Sequence, residues 1–255
     1  MNNQNDLSGL NALVTGSSRG IGKDTAFALA RLGANVVVHS RNTMHEAKKI
    51  ASEIKSTTNI ESFALQADVS DPSAVESMFE KIKSELGGID ILINNAGIVH
   101  NSSAEDLEFE QWTQMININL TGVFLCSQAA GRRMIEQKRG GAIINVSSIC
   151  AHIVVHPQKQ CHYNAAKAGV GMLTKSLAVE WAEYGIRVNA ISPGYIATDL
   201  VAHMKDLHPT WKGRTPLGRL GMPSDIAEVI AFLATPKNAF ITGSDWLVDG
   251  GYVCW

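Results

Sequence analysis

A chain of 255 residues, with 45% hydrophobic and 18% charged side chains, can bury a sizeable core and does not read as disordered. Its formal charge of −2 gives no general basic field, which excludes nucleic acid as an expected partner. The polar start Met1-Asn2-Asn3-Gln4-Asn5-Asp6 lacks the basic and apolar stretches of a secretory signal, and no apolar run of about 18 residues occurs, so a soluble cytoplasmic protein without a membrane partner is expected.

The elements alternate from the start. Asn11 to Thr15 reads as a strand, Ile21 to Leu32 as a helix, and Ala34 to Val38, set off by Gly33, as a second strand. Ala47 to Lys55 reads as helical and Ser62 to Gln66 as a strand; Pro72 opens a helix that runs to Leu86 and stops at Gly87-Gly88. Ile89 to Asn94 is a strand rich in isoleucine and leucine, as burial on both faces requires. There follow Phe109 to Arg133 (helical), Ala142 to Ser147 (strand), Tyr163 to Tyr184 (helical), Arg187 to Ser192 (strand), Pro223 to Ala234 (helical) and Ser244 to Val248 (strand). No linker or low-complexity tract divides the chain, so one α/β domain over 1–255 is expected. Strict alternation predicts a doubly wound parallel sheet of about seven strands with helices on both faces. A closed eight-stranded barrel is the rival, and the first turn argues against it.

That turn is Gly16-Ser17-Ser18-Arg19-Gly20-Ile21-Gly22, between the first strand and the first helix. Glycines there let backbone N–H groups approach a pyrophosphate at the positive end of a helix. At the end of the second strand an NAD-preferring site places an acid on the ribose 2′-hydroxyl. Here the residues are His39-Ser40-Arg41, and Arg41 with Arg19 suits an added 2′-phosphate, predicting NADP(H) over NAD(H). Tyr163 and Lys167 share a helix face at their four-residue spacing, so a cation can tune a phenol whose ordinary pKa is about 10.

Taken together, these features resemble the short-chain dehydrogenase/reductase family over nearly the whole chain. Thr15 to Gly22 looks like its cofactor motif, Asp68-Val69 like its adenine-contacting pair, Asn94-Asn95-Ala96-Gly97 like its sheet-steadying motif, and Pro193-Gly194 with Ile196 and Thr198 like its nicotinamide-side loop. The resemblance implies a single-domain Rossmann fold and a secondary alcohol–ketone oxidoreductase. By resemblance Asn119 holds a proton-relay water, Ser148 hydrogen-bonds the substrate oxygen, Tyr163 is the acid/base, and Lys167 tunes it and grips the nicotinamide ribose. The family commonly spaces serine and tyrosine by about 13 residues, which points at Cys150. Ser148 is preferred because it ends a strand and a thiol is a weak donor.

The segment 199–221, with His203, His208, Trp211 and Arg214, falls where the family has a substrate lid. The 152–162 loop and the ending 249–255 are similar to those of polyol and ketose reductases such as mannitol dehydrogenases and sorbose reductases. A small ketose, polyol or hydroxyketone substrate is therefore expected, with a 3-oxoacyl carrier-protein reductase as the alternative and an NADP(H)-binding sensor as the non-enzyme one. No metal is expected, since His152, His156 and His162 form no closed ligand set. Trp211 and Trp246 read as packing residues, and Cys126, Cys150, Cys161 and Cys254, without CxxC spacing, as reduced thiols. The family usually forms homotetramers, and Cys254 and Trp255 would pack at such a contact.

Overall fold

In the computed structural model, residues 6–202 and 204–255 are described; residues 1–5 of the polar start, and His203 of the expected lid, lie outside them. Seven parallel strands form one sheet: β1 (Asn11–Val14), β2 (Asn35–Ser40), β3 (Ser62–Gln66), β4 (Ile91–Asn94), β5 (Gly141–Val146), β6 (Ile186–Pro193) and β7 (Asp245–Val248). Their order is β3-β2-β1-β4-β5-β6-β7, the doubly wound arrangement expected. Asn11 pairs with Asn35 on one side of β1, and Ala12 with Ile91 on the other. The order reverses between β1 and β4, and the crevice at their carboxyl ends is where such sheets bind ligands.

Nine helices connect the strands among the described residues: α1 (Gly20–Arg31), α2 (Met44–Thr58), α3 (Pro72–Leu86), α4 (Phe109–Ile116), α5 (Gly122–Gln137), α6 (Cys161–Glu180), α7 (Asp199–Ala202), α8 (His208–Arg214) and α9 (Pro223–Ala234). One core, holding Leu29, Ile54 and Ile230, lies between the sheet and α1, α2 and α9. The other, holding Phe79, Met134 and Leu177, lies under α3, α5 and α6. Local chemistry sets the ends. Asp71 accepts from the N–H groups of Ser73 and Ala74 and caps α3, and Gly87 ends it in the left-handed region at φ 77°. None of the helices is long and apolar enough to cross a membrane among the described residues.

Beyond shifts of a few residues at element ends, one long element departs from its expected form. The helix expected over Phe109 to Arg133 is interrupted by a π-helical turn, Asn117–Thr121, because the Asn119 carboxamide bonds outside the helix to the Ile98 carbonyl at 3.0 Å. The segment expected as the lid holds α7 and α8, the latter anchored by the fully buried Trp211.

Candidate active site

The cradle for a phosphate is built by contacts only glycine permits. Gly16 lies at φ +64°, and a Cβ there would come within 2.9 Å of Ala96 Cα. At Gly22 a Cβ would meet Asn95 Nδ2 at 2.5 Å and Gly16 O at 2.6 Å. Asn95 closes the turn by donating to the Thr15 and Gly16 carbonyls, while Thr15 Oγ1 accepts from the N–H groups of Asn95 and Ala96. Asn94 meanwhile donates to Ser127 and Asn145, tying β4 to α5 and β5. No side chain caps α1, so its first N–H groups are left for an anion, and Arg19, Gly20 and Ile21 line a cavity of about 380 Å³. This donor set fits a dinucleotide pyrophosphate.

At one end of that cavity lie Ser18, Ser40, Arg41, Asp68 and Val69. Thr43 links two of them, donating to Ser18 Oγ at 2.8 Å and meeting Ser40 Oγ at 2.7 Å. Arg41 stands 3.5 Å from Asp68. Burial works against the Asp68 carboxylate, but Ser70 and the Arg41 guanidinium hold it below the ordinary range. His39, read from sequence only as a strand end, is buried beneath the cradle: its Nδ1 accepts from Gly16 N at 3.0 Å and its Nε2 faces the Ala67 carbonyl at 3.1 Å. Burial pushes it down to about 4, so it is neutral near pH 7.

The opposite end gathers Asn119, Ser148, Tyr163 and Lys167, with Asn95, Ala96, Gly97, Pro193, Gly194, Ile196 and Thr198 between. Every site residue expected from sequence lines this one cavity except Gly22, which packs behind the cradle. Ser148 follows β5 and accepts from Cys150 N at 3.1 Å; Cys150 Sγ accepts from Gln160. Lys167 Nζ is buried, donates to the Val146 carbonyl at 2.8 Å and sits 5.7 Å from the centre of the Tyr163 ring. Burial raises the Tyr163 phenol well above its ordinary range, the nearby Cys150 raises it further, and the neighbouring Ser148 hydroxyl works the other way. Burial lowers Lys167 to about 8, partly offset by Cys150. In the chain alone, then, burial raises the phenol, the opposite of the lowering by a cation that the spacing suggests. Asn119 braces the segment after β4: it donates to the Ile98 and Met115 carbonyls and accepts from Ile98 N.

Beyond Tyr163 the cavity continues along Cys150, Val155, Gln158, Tyr195, Val201, Met204 and Trp211. Most of these were not singled out in the sequence, because the residues between two motifs carry no pattern of their own. Trp211 does pack, as expected, stacked on Tyr195 at 4.1 Å, yet it also lines the cavity. Trp246 packs against Phe232. His152 meets Asp245 at 2.9 Å, and His162 meets His100 at 3.2 Å. All four cysteines are free thiols.

A doubly wound sheet with a dinucleotide cradle at its switch point, and a buried serine and lysine with a half-buried tyrosine beside it, defines a nucleotide-dependent oxidoreductase. A family model described as enoyl-(acyl carrier protein) reductase matches residues 16–253. A 3-oxoacyl-[acyl-carrier-protein] reductase of Staphylococcus aureus is 43% identical over 94% of this chain and 96% of its own. A sorbose reductase of Candida albicans is 38% identical over 97% of this chain and 88% of its own. A short-chain type dehydrogenase/reductase from Mycobacterium marinum superposes with a TM-score of 0.96 at 43% identity, covering 99% of both chains. A gluconate 5-dehydrogenase from Burkholderia cenocepacia, solved with NADP and tartrate, superposes at 0.93 with 34% identity, covering 99% of this chain and 98% of that one. The chain belongs to the short-chain dehydrogenase/reductase family.

Proposed function

We propose that the chain is an NADP(H)-dependent reductase that interconverts a ketone and a secondary alcohol, with a ketose, polyol or related hydroxyketone as substrate. The observation that carries the reaction is the placement of Ser148, Tyr163 and Lys167 in the same cavity as an uncapped helix N-terminus and its glycine cradle. When bound, the cofactor supplies the hydride. Ser148 and Tyr163 hold the substrate oxygen, and Tyr163 gives it a proton as negative charge develops. Its raised pKa keeps the phenol protonated, the form that donates, and Lys167 stabilises the phenolate left behind. Lys167 also grips the cofactor ribose. Asn119 holds a proton-relay water at the cost of one of its contacts to Ile98 or Met115.

Arg41 and Arg19 favour NADP(H), since the end of β2 offers no carboxylate and both line the cavity beside Ser40. The expected result is a kcat/KM for NADPH about tenfold or more above that for NADH, lost in Arg41→Ala. Tighter use of NADH, or a preference that survives in Arg41→Ala, refutes the assignment.

The likeness to the sorbose reductase and gluconate 5-dehydrogenase, and the polar Gln158 and Gln160 near the site, support a hydroxylated substrate. A second reading, reduction of a 3-oxoacyl thioester, is favoured by the 43% identical relative. Rates with fructose, sorbose and xylulose against an acetoacetyl thioester separate the two. Binding of NADPH without oxidation by any carbonyl instead indicates a sensor. In either enzymatic reading the 199–221 segment is the lid, as Val201, Met204 and Trp211 line the cavity.

A further inference from the structure

Gln158 lies in the loop before α6 and lines the cavity beside Tyr195. Its Nε2 donates to the Tyr195 hydroxyl at 2.9 Å, while its Oε1 is buried with no partner among the described residues. An unpaired buried acceptor is costly, so one kept beside a cavity calls for a donor from whatever occupies that cavity. The arrangement is also stiff. Tyr195 stacks on Trp211 with an interplanar angle of 9° and meets Tyr252 edge-on at 5.3 Å, so the phenol that orients the amide has little freedom. Gln160, by contrast, already donates to Cys150 and Asn164.

Building on the carbonyl-reductase reading, we infer that Gln158 is a specificity-determining residue that binds a hydroxyl on the substrate's carbon chain, near the carbonyl. A hydroxyl both donates and accepts, so it satisfies whichever end of the amide faces it. The hydrocarbon part of an acyl chain satisfies neither end, and a site built around a hydroxyl rejects the analogue that lacks it. Gln158 thereby separates hydroxyketones from simple ketones, acting mainly through KM because its contact is present before and during reaction.

The test compares 1-hydroxy-2-butanone with 2-butanone, by turnover with NADPH and by ligand-observed NMR binding, in the wild type, Gln158→Leu and Gln158→Glu. The wild type is expected to favour the hydroxyketone by about tenfold or more. That ratio should fall toward one in Gln158→Leu and persist in part in Gln158→Glu, which keeps an acceptor. A wild type without the preference, or a preference intact in Gln158→Leu, overturns the inference while leaving the reductase reading standing. If no ketone is reduced, the reductase reading fails, and the NMR arm decides alone: hydroxyl-dependent binding lost in Gln158→Leu upholds the role of Gln158, and hydroxyl-independent binding overturns it.

Discussion

Ser148 and Cys150 flank Ile149 on the turn that leaves β5, and both line the cavity. Their hydrogen-bonding differs. Ser148 carries a hydroxyl beside the Tyr163 phenol, whereas burial raises the Cys150 thiol and keeps it a neutral, weak donor whose sulfur accepts from Gln160. Ser148→Ala is expected to lower kcat about 100-fold with circular dichroism unchanged, and Cys150→Ala to lower it far less. The reverse order in steady-state assays would transfer the role to the cysteine. His39 makes a separate prediction about acid stability. Its pKa falls from 6.5 to about 4 on folding, so the unfolded chain takes up the proton first as pH drops. Its contribution is complete above pH 6.5 and is lost as the pH falls toward 4, a loss of roughly 3 kcal/mol. Denaturant unfolding between those values should show a steeper decline in the wild type than in His39→Gln; parallel curves would remove His39 as the cause.

Among the elements, strands such as β2 and β4 were legible because short runs rich in valine and isoleucine have few other readings, and β3, α3 and α9 fall at their expected ends. The π turn was not, because Asn117 to Thr121 fits a helix locally and only the distant contact of Asn119 with Ile98 inserts the extra residue. Nor were α7 and α8, which are too short for periodicity; α8 owes its place to Trp211 packing on Tyr195. The candidate site divides the same way. Its cofactor half lies in contiguous motifs, but its substrate half depends on pairs such as Gln158 and Tyr195, 37 residues apart. The junction of β1 and α1 is the element on which cofactor binding rests most. An alanine at Gly22 drives a Cβ to 2.5 Å from Asn95 Nδ2 and so disturbs the two bonds Asn95 makes to the turn. Gly22→Ala should weaken NADPH binding by about tenfold or more in calorimetry. Gly213→Ala, in α8 where a Cβ meets nothing within 4 Å, is the control; equal affinities in the two variants would refute the cradle's role.

At the scale of the molecule, two groups of large apolar side chains are exposed among the described residues. One belongs to α4, α5 and α6 and exposes Phe109, Phe124, Met172 and Val179; Met172 and Val179 stand two helical turns apart on one side of α6. The other belongs to α9, β7 and the segment between them, exposing Phe232, Phe240 and Leu247. Single exposed apolar residues need no explanation, but side chains of this size gathered on two elements each suit self-association. A self-complementary face makes a dimer; two different ones on each copy close into a tetramer with three perpendicular two-fold axes. We propose that these two faces join copies into the homotetramer that the family usually forms, sedimenting at four times the 27.5 kDa chain mass. A buried charge without a partner is costly enough to open one interface while leaving the other intact. Val179→Glu and Leu247→Glu should therefore each give dimers in sedimentation velocity, and the double variant monomers. A wild type that sediments as a monomer, or single variants that remain tetrameric, would show that these faces do not join copies of the chain.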